Sequence, residues 1–412
     1  MRSLTSSLDY LVDTHRRHIE RHTVTGCVFV LADRVRLINR SQWELIAQHQ
    51  SVFLSWDYLH ALEAHPPENV ESRYAVIYHP EQLDAPLAIV HCQLATLSLT
   101  NFQARSPGED QEALTSWISS RVLICGNVLS SGLHGVAFSP EADLELGWRA
   151  VAEVIYKMRR AEQLQGVVDG AVIKDVSSDH LSGTAVLSRY SYRTIKTDPD
   201  MVITLTDAMS TFEDYLTGLR SKVRRKVKKV ARELEQSGYT SSRLDDIGPH
   251  EPRLLELYRL VEAGSDVRLA SISKGYLTAM SDALGDRFVC SVIRREGEIV
   301  AFVTTVKDRE RGLSYYVGFD REMSDSGVIY RRLLQLSIED ALAMGCKKIS
   351  LGRTALEAKA NLGAKPVPLY VWARHRVPTV NFFARKLFRL VPSSVAPERT
   401  VFKQTEVKVQ AC

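Results

Sequence analysis

Three charged residues stand close together in Gly352-Arg353-Thr354-Ala355-Leu356-Glu357-Ala358-Lys359, with Arg353 and Glu357 one helical turn apart. Upstream, Tyr316 and Asp320 fall on one face of a predicted strand by alternation, and Tyr330 begins the helix beside it. Cations, carboxylates and phenols so grouped suit chemistry in which a proton moves while an oxyanion develops. Between them runs Arg321-Glu322-Met323-Ser324-Asp325-Ser326-Gly327-Val328, which opens a long helix. Free amides over Ser324, Asp325, Ser326, Gly327 and Val328, helped by the helix dipole, form a ready anion site. An ordinary capped start, with Ser324 or Asp325 as the cap, accounts for the same residues.

These residues need a frame. Leu313 to Phe319 reads as a strand covered on both faces, and Ile329, Leu333, Leu336, Ala343 and Met344 follow a helical stripe that Gly345 stops. Lys347 to Leu351 is a short buried strand, Thr354 is the expected cap of the next helix, and a closing strand ends near Arg376. The first part of the chain repeats this order without a residue-level repeat. Arg121 to Val128 is a strand, Gly126-Asn127-Val128-Leu129-Ser130-Ser131-Gly132-Leu133-His134-Gly135 a glycine-rich loop, Glu141 to Gln165 a helix and Ala171 to Val176 another strand. Asn127, Gly132, His134 and Gly135 line either a ligand pocket or a tight structural turn, and Lys174-Asp175 ends a strand beside them. Earlier, Cys27 to Ala32 and Val35 to Ile38 read as a hairpin, Ser55 to Ala64 as a helix, and Tyr74 to Tyr78 and Leu87 to Leu99 as strands. Glu109 to Ser119 is expected to be helical.

Phe212 to Gly238 is expected to be one helix, capped by Thr211 and ended by Gly238. Leu216, Leu219, Val223, Val227, Val230 and Leu234 form its apolar stripe. Arg220, Lys222, Arg224, Arg225, Lys226, Lys228, Lys229 and Arg232 cover the rest, so the face at 220–232 suits CoA or another phosphorylated substrate, tRNA or an anionic surface such as acidic lipid, or is simply solvated. Helices over Glu251 to Gly264 and Lys274 to Gly285 and a hairpin over Arg287 to Val306 lead back to the Leu313 strand. Beyond Arg376, Val380, Phe383, Ala384, Leu387, Phe388 and Val391 recur at helical spacing, opposite Arg385, Lys386 and Arg389.

The order of elements resembles the Gcn5-related N-acetyltransferase (GNAT) superfamily. The segment Leu351 to Lys359 followed by Leu362-Gly363-Ala364-Lys365-Pro366 is similar to its FemAB/BioF2-like branch, as is the basic helix with Ser221-Lys222, Arg225 and Lys228-Lys229. The resemblance covers about residues 212–376. It implies tandem GNAT-like α/β domains, each a mixed, mostly antiparallel sheet flanked by helices: 1–206, 207–376 opened by the basic helix at 211–238, and an amphipathic extension at 377–412. It implies acyl transfer from acetyl-CoA or another acyl-CoA to an amine or hydroxyl acceptor, or from aminoacyl-tRNA as in FemAB enzymes. A non-catalytic binding module keeping the fold is the reading from another class. In this resemblance Lys359 becomes the polarising cation at the transfer site, with Glu357, Arg353, Tyr316, Asp320 and Tyr330 about it. Ser324 to Val328 then hold the donor's pyrophosphate.

The chain has 412 residues, 45% hydrophobic and 25% charged, with a net charge of +4. That is an ordinary globular composition, long enough for two or three domains and too weakly basic for a general nucleic-acid binder. The polar N-terminus predicts no signal peptide, and no run is apolar enough to span a bilayer, so the sequence reads as cytoplasmic. Six scattered cysteines (Cys27, Cys92, Cys125, Cys290, Cys346 and Cys412) read as buried thiols, and the twelve histidines show no ligand spacing, so no metal site is expected.

Overall fold

A computed structural model of the chain describes residues 23–98, 119–264, 269–381 and 399–403, together with Ile19 and Pro397. The helix expected over Glu109 to Ser119 and the amphipathic extension lie almost wholly outside the described residues.

The first half supplies β1 (Val28–Ala32), β2 (Val70–His79), β3 (Gln82–Ser98), β4 (Ser119–Cys125), β5 (Val136–Phe138), β6 (Gly170–Ser177) and β7 (Arg193–Thr204). The second supplies β8 (Tyr239–Arg243), β9 (Phe288–Arg295), β10 (Glu298–Asp308), β11 (Arg311–Phe319), β12 (Lys348–Ser350) and β13 (Lys365–His375). All join one mixed sheet in the order β1-β2-β3-β4-β6-β13-β7-β12-β11-β10-β9-β8, with β5 paired to β3. Helices α1 (Arg40–Ala47), α2 (Trp56–Ala64) and α3 (Leu144–Glu162) belong to the first half. Helices α4 (Phe212–Gly218), α5 (Ser221–Gln236), α6 (Glu251–Ala263), α7 (Tyr276–Leu284), α8 (Ser326–Ala343) and α9 (Leu356–Ala360) belong to the second.

The repeat of architecture is visible in the ladder. Within each half one parallel pair, β4–β6 or β11–β12, is joined through a long helix, α3 or α8, while the other pairings are antiparallel. The two halves then exchange their last strands. β13 lies between β6 and β7, and β7 lies between β13 and β12. Apolar anchors fix the exchange: Trp372 of β13 packs in the first-half core and donates Nε1–H to Thr184 Oγ1 (2.9 Å), whereas Met201 and Ile203 of β7 are buried in the second-half core. A further core joins Trp43, Phe53, Tyr58 and Tyr74 of the first half to Tyr276, Phe302 and Leu313 of the second. The position 206/207 follows the end of β7, whose two neighbours in the sheet both come from the second half.

Several local expectations change. β1 pairs with β2, and Val35–Leu37 is a 3₁₀ turn, so no hairpin joins Cys27 to Ile38. Two helices replace the one expected over Phe212 to Gly238. Thr211 and Asp214 form a capping box at α4, and Leu219 then turns extended to bridge Phe402. Arg220 N–H bonds Val401 O (3.0 Å) and Lys403 N–H bonds Gly218 O (2.9 Å), so pairing with residues 401–403 interrupts the helix. β7 and α1 have no counterpart among the expected elements. Cys27, Cys92, Cys125, Cys290 and Cys346 are buried and unbridged. Among the described residues no helix is long and apolar enough to cross a membrane.

Candidate active site

β11 and β12 run together for only three residue pairs, Arg311–Lys348 to Leu313–Ser350, and then part. Opposite the fork, Thr304 of β10 faces two residues, Tyr315 and Tyr316, because the register slips between Val303 and Thr305. Thr304 Oγ1 holds this bulge by accepting Tyr316 N–H at 2.9 Å. The fork opens onto a cavity of about 630 Å³. Val261, Val317, Phe319, Leu334 and Leu351 supply apolar wall, Ser326 and Gly327 the lip at the start of α8, and Arg321, Arg353 and Lys359 the charge. No carboxylate lines it among the described residues.

Lys359 is 3% exposed. It rides on α9, which starts from Ala355 in a left-handed conformation (φ 52°) after Gly352 (φ 81°). Thr354, expected as the cap, lines the cavity, and α9 begins without a side-chain cap. A β-carbon at Gly352 would lie 3.6 Å from Lys359 Nζ, which places the amine at the cavity wall. No acceptor or counter-ion touches Nζ among the described residues. Burial lowers its pKa to about 8, opposed by the more distant charge of Asp200. Asp200, on β7, is itself fully engaged: it accepts Ser350 Oγ (2.7 Å), Gly352 N–H (3.2 Å) and Arg311 Nη2 (2.9 Å). A first-half strand therefore builds the floor beside the amine.

Arg353 reaches the other way. Its guanidinium pairs with Asp175 of β6 and donates to Ser131 Oγ (3.1 Å). Asp175 is 1% exposed, sits at φ 60°, and also receives Lys174 Nζ and Gly132 N–H (3.0 Å). Those cations and the Gly132 amide hold its carboxyl below the usual range against burial, which acts the other way.

Of the residues singled out from sequence, Ser326, Gly327, Tyr330, Arg353 and Lys359 meet at this cavity. Burial raises Tyr330 to about 12, so its phenol stays neutral. Tyr316 and Asp320 do not share the site. Neither lines the cavity: Tyr316, at the bulge, donates to Leu129 O (3.1 Å) in the core between the halves, and Asp320 accepts Glu322 N–H (2.9 Å) past the end of β11. Glu357 is exposed and pairs with Arg399 (2.6 Å). Ser324, Asp325 and Val328 lie outside the lining, and Asp325 accepts Tyr239 OH (3.1 Å) without capping α8 through its side chain. The amides are less free than expected. Ser326 N–H bonds Met323 O, and those of Val328 and Ile329 bond Asp325 O, while Gly327 N–H has no acceptor among the described residues.

At the matching place in the first half, the glycine loop closes on itself. A β-carbon on Gly135 would stand 2.2 Å from Gly126 N, and the His134 ring is packed between Gly132 and Phe53. His134 Nδ1 meets Ser130 Oγ (2.7 Å), and Asn127 donates to Tyr58 OH (2.5 Å). The tight-turn reading of Asn127, Gly132, His134 and Gly135 holds, and Lys174-Asp175 is buried. Asp175, Ser131 and Asp200 were missed as contributors to the site. Only the adjacent Lys174-Asp175 charge pair signalled any of them.

With this geometry in view, residues 221–360 match the family model described as an acetyltransferase (GNAT) domain. Among solved structures the chain is similar to FemX (10% identity, TM-score 0.48, covering 80% of this chain and 96% of that one). It is also similar to a tandem GNAT protein from the clavulanic acid biosynthesis pathway (10%, 0.46, 85% and 99%) and to L-PGS from Bacillus licheniformis (12%, 0.43, 80% and 95%). A comparison with characterised protein sequences finds no match.

Proposed function

We propose that the chain is an acyltransferase that moves an acyl group from acyl-CoA to an amine or hydroxyl acceptor in the fork between β11 and β12. The observation that carries this reading is the buried Lys359 amine, which has no partner among the described residues, at the wall of a cavity to which those residues bring cations and no carboxylate. Such an enclosure suits an anionic donor with an apolar arm, and the match of residues 221–360 to a GNAT domain supports the same class.

In this reading the donor's pyrophosphate lies toward the α8 start, near Gly327 N–H and Arg321, and its thioester lies at Lys359. The acceptor nitrogen attacks the carbonyl carbon, and the Lys359 ammonium stabilises the oxyanion. Collapse breaks the C–S bond, with the neutral Tyr330 phenol donating a hydrogen bond to the departing sulfur. The described residues bring no carboxylate into the cavity as base, and in this reading the acceptor gives up its proton to solvent or to the released thiolate.

A second reading, aminoacyl-tRNA as donor, is favoured by a separate groove of about 770 Å³ beside α5. Arg220, Lys222, Lys226, Lys229, Arg331 and Arg399 line it, against Glu233 as the one acid among the described residues. Thermal-shift titrations with acetyl-CoA, longer acyl-CoAs and tRNA separate the readings. At a hundredfold excess over Kd the true donor stabilises the fold by about 2.7 kcal/mol. A shift with tRNA alone overturns the CoA reading, and no shift with any of them supports a non-catalytic binding module.

A further inference from the structure

The other buried cations among the described residues are accounted for. Lys174 donates to Ser130 O (2.6 Å) and pairs with Asp175, and Arg73 pairs with Glu162 (2.5 Å). Lys359 alone, among these, points a buried and unpartnered amine into a cavity. An amine in that position stabilises a neighbouring carbonyl only while it carries its proton. Once deprotonated it is a desolvated primary amine, which is a nucleophile toward the same carbonyl.

We propose that Lys359 is a self-modification site: with donor bound and no acceptor present, its Nζ takes the acyl group itself. The inference rests on the acyl-CoA reading of the cavity. The neutral Nζ lone pair attacks the thioester carbon, the C–N bond forms as the C–S bond breaks, and CoA leaves as thiolate. The surplus Nζ proton passes to that thiolate or to solvent, giving CoA and Nε-acyl-lysine, with no oxidant or further reactant needed. An amide does not hand its acyl group on, so the event removes the cation and ends turnover. An idle molecule loaded with donor thus inactivates itself, while an acceptor that reaches the carbonyl first protects it.

Among the described residues, the charged and titratable groups near Nζ are Asp200 on β7, Arg353 and Arg321 in the cavity, Tyr315 on β11 and the Tyr330 phenol on α8. Lys359 loses its proton near pH 8, against about 10.4 for an exposed lysine. The neutral amine that attacks is therefore better populated at Lys359 than on a lysine in water.

The test incubates the full chain with acetyl-CoA at pH 8 without acceptor, follows intact mass, and maps the modified peptide. A parallel thermal-shift titration with acetyl-CoA reports binding. The expected result is one added acetyl group on Lys359, formed far faster than at Lys365, suppressed by excess free CoA and absent from Lys359→Met. Stabilisation by acetyl-CoA with Lys359 left unmodified overturns self-acylation and spares the donor assignment. Acetylation spread over exposed lysines and indifferent to free CoA also overturns it. No stabilisation by acetyl-CoA removes the donor assignment, and this inference with it.

Discussion

Lys359 concentrates the tension between stability and chemistry. A lysine with no partner beneath the surface is less stable charged than the same side chain in water. The unfolded chain holds that proton up to pH 10.5 and the folded one releases it near 8, so between these values the unfolded state binds more protons. Stability therefore rises as pH climbs from 8 to 10.5, and below 8 the full cost, about 3 kcal/mol, is present. Lys359→Met is expected to raise the urea midpoint at pH 7 while lowering kcat roughly 10²–10³-fold. A variant that loses stability would show the amine to be structural. Asp175 is the converse case. Asp175→Asn strips Lys174 and Arg353 of their shared carboxylate, with an expected loss of about 3–5 kcal/mol in denaturant titrations. At this scale a local motif made the lysine and arginine legible in the sequence. Asp175 was legible only as half of the Lys174-Asp175 pair, since Arg353 comes from the other half. Asp200 stayed hidden, because Ser350, Gly352 and Arg311 come from the other half and Pro199 beside it disguised its strand.

At the scale of elements, the start of α8 offers a clean separation of fold from binding. A β-carbon on Gly327 would meet nothing within 4 Å, and its backbone is not left-handed. Gly327→Ala should fold normally and gain up to about 1 kcal/mol from helix propensity. The added methyl narrows the approach to the Gly327 N–H, so the expected outcome is a raised melting temperature with weaker acyl-CoA affinity by calorimetry. Unchanged affinity would move the pyrophosphate elsewhere. Regular elements were legible because their apolar periodicity is local, as in α3, α6 and α8. The departures were set by distant partners. The β11 bulge follows from Thr304 and redirects Tyr316, and the break between α4 and α5 follows from pairing with residues 401–403.

On the scale of the whole molecule, the exchanged strands tie both halves into one folding unit. Removing residues 365–412 deletes the strand between β6 and β7 and takes Trp372 from the first-half core. The truncated chain is expected to lose both halves together, and the intact protein to unfold in one transition with calorimetric and van't Hoff enthalpies equal. Two separate transitions would mean that the halves stand alone. The tandem order of elements could be read along the chain, since strand, loop, helix and strand recur. The exchange could not, because pairing β6 with β13 is a contact between distant parts of the sequence.

That arrangement also carries a cost during synthesis. β7 is complete about 160 residues before β13 begins, so the ribosome works for roughly 10–30 s while a slot in the nascent sheet stays open. Throughout that interval β6 presents an unpaired edge, the kind of surface that recruits the wrong strand from a neighbouring polysome. Yield should therefore respond to elongation rate and chaperone supply more steeply than the finished protein's resistance to heat would suggest.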